Sequence, residues 1–136
     1  MNMLQLHTTE FTARDGTSVR LVYDEDTDML DLFFGENHPA RGIQLTDQII
    51  LRVDSLMRRA VSLTLLHFSI LSEQTAYGPR SWTLTSLTQM PEEQRDLMLQ
   101  ILTTAPVSQF LKLTQLQTAP AQFVPVAYVD TQPVAA

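Results

Sequence analysis

Four carboxylates, those of Asp24, Glu25, Asp26 and Asp28, fall within five positions, and the apolar run Met29-Leu30-Asp31-Leu32-Phe33-Phe34 follows at once. Clustered acids hold a cation, move protons or shape a turn. Asp24, Asp26 and Asp28 have the alternate spacing of a calcium loop. Such a loop also needs glycine at its sixth position and glutamate at its twelfth. Met29 and Gly35 stand there, so no metal is expected. Proton transfer needs a partner group. The candidate is His67, which makes Asp24, Asp28 and His67 a rival site for a small hydrolase or a ligand-binding domain. The third use fits best. Aspartate side chains accept hydrogen bonds from backbone N–H groups just ahead of them. Asp24 and Asp28 are therefore expected to shape and cap a hairpin.

Other catalytic constellations are missing. The chain has no cysteine, which removes disulfides, thiolate metal sites and thiol nucleophiles. His7, His38 and His67 have no ligand spacing. His67 falls on the face of Val61, Leu63 and Leu65 in an apolar run and reads as a packed core or interface residue. No serine sits in a G-x-S-x-G elbow, and the four glycines are too scattered to cradle a phosphate. The sole lysine, Lys112, lies in a region read as helical near the C-terminus. Trp82 and Tyr77 near Arg80 suit a core edge or a stacked ligand. No catalytic residue and no cofactor are assigned.

The elements that carry these residues follow from period. "SVRLVY", "MLDLFF", "ARGIQL", "IILRVD" and "AVSLTLLHFSIL" read as five strands, the last the strongest. Their connections are too short for helical crossovers, so neighbours should be antiparallel. Residues 1–16 read as a lead-in that ends in the turn dipeptide Asp15-Gly16. The second half changes period. Pro91 suits a helix start, with Glu92 and Glu93 in the first turn. Leu97, Met98, Ile101 and Leu102 form one apolar helical face. Pro106 ends that helix, and Val107, Phe110 and Leu111 suggest a shorter one. The fold expected is α+β: an antiparallel β-meander of about five strands with C-terminal helices packed on one face. One domain is expected over 1–118, β-rich at 17–71, linking at 72–89 and helical at 90–117. A proline-containing tail is expected at 119–136.

"VYDEDTDMLDLFF", "DQIILRVD" and "AVSLTLLHFS" together resemble a small bacterial family catalogued as domain of unknown function 2283. The resemblance covers residues 19–71. Tyr23, Asp24, Asp28, Leu30 and Leu32 match its first element, Ile49, Leu51 and Asp54 its second, and Val61, Leu63 and Leu65 its third. It implies a small β-rich domain of unassigned activity, with Tyr23, Asp24, Asp28 and Asp54 as structural motif residues. Some similar proteins look like the partner-binding half of toxin–antitoxin gene pairs. The chain departs from the family twice. Ser55-Leu56-Met57-Arg58 has no glycine where the last turn usually has one. Ser62 and Thr64 stand where a strand glutamate is usual.

Bulk composition excludes more. The net charge is −6 and the pI about 4.8. An acidic surface repels phosphate backbones, so no nucleic-acid partner is expected. Arg58-Arg59, with Arg52 nearby, is the only basic cluster and reads as a solvated turn. The N-terminal stretch lacks signal-peptide character. The most apolar run, 60–71, is too short to span a bilayer. A cytoplasmic protein with no membrane partner is expected. Apolar residues on both faces of the last strand point to a non-enzymatic interaction module: a homodimer that also binds another protein. Leu66, Phe68, Ile70, Phe123 and Tyr128 are the interface candidates.

Overall fold

The structure, a computed structural model, describes residues 6–36, 38–54, 56–71, 74–76, 78–79, 81–120 and 122–129. The chain builds the α+β fold with an antiparallel meander. Six strands form the main sheet: β1 Leu6–Thr12, β2 Ser18–Asp24, β3 Met29–Phe34, β4 Arg41–Gln44, β5 Ile49–Asp54 and β6 Arg59–Leu66. Their spatial order is β1-β2-β3-β6-β5-β4. Two three-stranded meanders thus meet where β3 pairs antiparallel with β6.

Alternation decides which side of this sheet is core. Leu30, Leu32 and Phe34 of β3 are buried, as are Ile49, Leu51 and Val53 of β5. Register stacks them: Leu30 faces Leu65, Leu32 faces Leu63, and Leu63 faces Leu51. A shift between Arg52 and Val53 leaves Val61 without a partner in register. An extra residue breaks the period of two. Val61 is buried yet lies outside the main core cluster, and it lines a hollow with Arg20 and Phe33. Its expected placement beside Leu63 and Leu65 is therefore corrected.

The short helix α1, Phe68–Leu71, follows β6, and the two-residue strands β7 Gln74–Thr75 and β8 Gly78–Pro79 pair with each other. Then come β9 Ser81–Thr83, α2 Thr85–Thr88 and α3 Glu92–Leu102. Glu92 and Glu93 occupy the first turn of α3, and Met98, Ile101 and Leu102 are its buried residues. These helices pack on the core face with Leu84, Leu87 and Val107.

The C-terminal third differs from the reading by period. Residues 107–117 are not a helix. Val107–Gln109 is a single 3-10 turn, and Leu111–Ala119 is a strand, β10. Val107, Phe110 and Leu111 are all buried, so their spacing did mark core residues. It arose from one tight turn running into a strand; Leu111 and Leu113 flank Lys112 with a period of two. Nor is 119–136 a tail throughout. Gln122–Val129 is β11, central in a second antiparallel sheet of order β10-β11-β9. Proline, which has no N–H for the ladder, is disfavoured in a central strand, and Pro125 lies within β11. It is accommodated because β9 pairs only with Val126 to Tyr128, which leaves Pro125 beyond that ladder. The described part of the lead-in, residues 6–16, likewise holds a strand: β1 pairs along β2 across the turn at Gly16, where φ is +89°.

Candidate functional site

The acidic stretch is the turn between β2 and β3. Asp24 accepts a hydrogen bond on Oδ1 from the Asp26 amide at 3.0 Å, as a turn-capping aspartate should. Asp28 does more. Its backbone has φ +55°, a left-handed conformation that aspartate tolerates better than most residues. Its carboxylate reaches out of the turn. The Tyr23 hydroxyl donates to Oδ1 at 2.7 Å, and the Ser69 hydroxyl donates to Oδ2 at 2.6 Å. The Ser69 amide lies 3.0 Å from Oδ1 and 3.2 Å from Oδ2. The Phe68 amide donates to the Asp28 carbonyl at 2.9 Å. One residue thus joins the β2–β3 turn to the junction of β6 and α1, 41 positions on.

The electrostatics follow. Burial alone would raise the Asp28 carboxyl. The Ser69 hydroxyl, the Tyr23 hydroxyl, the Ser69 amide and nearby His67 outweigh it and hold the group below its ordinary 3.8. The hydrogen bond to Asp28, with burial and the neighbouring carboxylates, pushes the Tyr23 phenol up to about 12. The Tyr23 ring also meets Phe68 edge-on, with centroids 5.7 Å apart.

His67 is not a core residue. It is exposed, at φ +55°, in the residue that turns β6 into α1. The strand ends before it, so strand alternation no longer governs where it points. Of the rival triad, Asp28 and His67 come together, while Asp24 accepts from its own turn. Both oxygens of Asp28 already accept hydrogen bonds. Asp54, the fourth motif residue, caps the β5–β6 turn: its Oδ1 accepts from the amides of Leu56 at 3.1 Å and Met57 at 3.3 Å. Arg58 ends that turn at φ +54°. Among the described residues no group of three or more His, Cys, Asp or Glu side chains is placed to hold a metal.

The interface candidates do not form one patch by their strand positions. Leu66 is on β6. Phe68 turns inward onto the core, because the chain has left the strand. Ile70 is 47% exposed on α1. Tyr128 is half-buried on β11 and lines a cavity with Lys112. The Phe123 side chain lies outside the described residues.

A surface that includes Leu66 runs over the sheet face opposite the core. In register across all six strands runs a row of Glu10, Arg20, Phe33, Ser62, Arg52 and Gly42. The next row is Thr8, Val22, Asp31, Thr64, Ile50 and Gln44. Beyond it Asp24, Met29 and Leu66 align. Val22, Met29, Phe33, Ile50 and Leu66 are half-buried, and none belongs to the core or packs against it. The Arg20 guanidinium lies 4.7 Å from the Phe33 ring centroid, and the Thr64 hydroxyl donates to Asp31. The sequence signal for this face was the second phase of the same alternation, Arg20 and Val22 in β2 and Ile50 and Arg52 in β5. Its extent depends on register between strands far apart in sequence. Ser69, the partner of Asp28, gave no sequence signal.

The chain matches no family model, no curated protein and no solved structure.

Proposed function

We propose that this chain is a non-catalytic protein-interaction module that self-associates through the open face of its six-stranded sheet. The observation that carries this reading is the composition of that face. It sets Val22, Met29, Phe33, Ile50 and Leu66 among charges of both signs, Glu10, Arg20, Asp31 and Arg52. Half-buried apolar side chains interspersed with charges on a sheet face that packs on no core favour an interface. A two-fold interface uses one patch twice, so the patch must complement itself, and charges of both signs permit that. A second protein partner would bind the same dimer in the cytoplasm. The acidic turn supports a non-catalytic reading as well. A carboxylate held below its ordinary pKa by three donor groups is a weak general base near neutrality. Light scattering on the full chain should report twice the 15.4 kDa monomer mass. Phe33→Glu should give a folded monomer with an unchanged circular dichroism spectrum. A monomeric full chain at tens of micromolar, or a Phe33→Glu dimer as tight as the parent, overturns the reading.

Kinship with domain of unknown function 2283 is part of the same proposal. It is supported by structural roles at its motif positions, with Tyr23, Asp24, Asp28 and Asp54 all engaged in turn or junction hydrogen bonds. Arg58 supports it too, since its positive φ lies in the turn where the family usually places glycine.

A further inference from the structure

Arg58 and Arg59 are consecutive, and in a regular strand consecutive side chains point to opposite faces. Here they do not. Arg58 is the left-handed last residue of the turn, and Arg59 is the first of β6. Both residues border one cavity of about 190 Å³ at the end of the core, with Arg58 exposed and Arg59 half-buried. Its other walls include Phe34, Ile101 and Val107, with Asp15 at the polar side.

The two guanidinium groups have donors to spare. Each carries five N–H groups. Arg58 Nη2 donates to Gln100 Oε1 at 3.4 Å, and Arg59 Nη2 donates to the Glu36 carbonyl at 3.3 Å. Both contacts are longer than an ordinary N–H···O bond of about 2.9 Å. Arg59 Nε is buried and finds no acceptor among the described protein groups. The Nη groups, with their long contacts, are the donors that an acceptor in the cavity would meet.

We propose that this cavity binds a small monocarboxylic acid, its carboxylate on Arg58 and Arg59 and its short apolar body against Phe34, Ile101 and Val107. Charge selects the monoanion: two arginines and one aspartate leave one net positive charge in the wall. Asp15 would oppose a phosphate dianion. Guanidinium matches a planar carboxylate fork to fork. Size selects a short ligand, since 190 Å³ is about six water volumes. This site lies apart from the Asp28 junction and makes no use of the open sheet face.

The test is an amide-resolved NMR titration of the full chain with butyrate and benzoate, with butyramide and inorganic phosphate as controls. The carboxylates should give saturable shifts at Arg58, Arg59, Ile101 and Val107. Butyramide should bind about tenfold more weakly or worse, as loss of charge-assisted hydrogen bonds implies, and phosphate should bind more weakly than either acid. Arg59→Gln should weaken butyrate binding by a similar factor. Arg58→Gly, which suits a backbone at φ +54°, should fold at least as well as the parent and also bind more weakly. Asp15→Asn should tighten binding. No saturable shift up to roughly 10 mM ligand, equal binding of butyramide, or undiminished binding in Arg58→Gly overturns the proposal.

Discussion

Replacing Asp28 tests the junction that organises the acidic turn. Three donors converge on its carboxylate: the Tyr23 hydroxyl, the Ser69 amide and the Ser69 hydroxyl. A hydrogen bond to a charged acceptor contributes roughly 1.5–3 kcal/mol when buried. The Tyr23 contact is half-buried and is assigned about 1.5 kcal/mol. The two Ser69 contacts are exposed and screened, so about 0.5 kcal/mol each is appropriate. Alanine at φ +55° adds roughly 0.5 kcal/mol, because it lacks the short polar side chain by which aspartate offsets the crowding of Cβ against the following carbonyl. Asp28→Ala should therefore cost about 3 kcal/mol. Asp28→Asn keeps an acceptor and tolerates the left-handed backbone, so about 1 kcal/mol is expected. Equilibrium urea unfolding followed by Trp82 fluorescence measures both. The Tyr23–Asp28 term is isolated by a double-mutant cycle of Tyr23→Phe with Asp28→Ala, with a coupling of about 1 kcal/mol. The pH dependence has a definite sign. The folded pKa lies below the ordinary 3.8, so the stability Asp28 contributes is present above that value and lost as pH falls through the folded one. The gap between the parent and Asp28→Asn should hold steady from neutrality to about pH 5 and close below about pH 4. An Asp28→Ala cost under about 0.5 kcal/mol, or strict additivity in the cycle, refutes the reasoning.

The Tyr23 phenol is raised above its ordinary 10.0, so its contribution is present below that pH and lost as pH rises from 10 towards 12. Absorbance titration at the phenolate band, with Tyr23→Phe as the blank, should place ionisation near pH 12 and show it lowered in Asp28→Asn. In the same turn Asp24→Ala should destabilise by about 1 kcal/mol through loss of its cap on Asp26, while the exposed Glu25→Ala should be nearly neutral; equal thermal melts for the two variants would contradict this. Calcium, magnesium and zinc should bind no tighter than about millimolar by calorimetry. Stoichiometric micromolar binding lost in Asp26→Asn would overturn the structural reading of the turn.

Much of the β-rich half was legible in the chain because its signals are local. The alternation of "MLDLFF" and "IILRVD" declares strands, and the aspartate at 24 declares the turn that it caps. The apolar face of α3 was legible for the same reason, since its period comes from neighbours three and four apart. Tertiary structure decided what local period cannot. Val107, Phe110 and Leu111 have helical spacing, yet β10 forms because β11 lies beside it to take its backbone hydrogen bonds. Pro125 argues against a strand until the partner ladder is seen to stop one residue short of it. The bulge that turns Val61 out of the core follows from pairing between β5 and β6. Asp28 meets Ser69, and Arg58 shares a cavity with Ile101, only because β3 packs beside β6 and α3 closes the end of the core. Composition and spacing act within a few residues along the chain. Contacts 41 or more positions apart are set by how whole elements bury their apolar faces together.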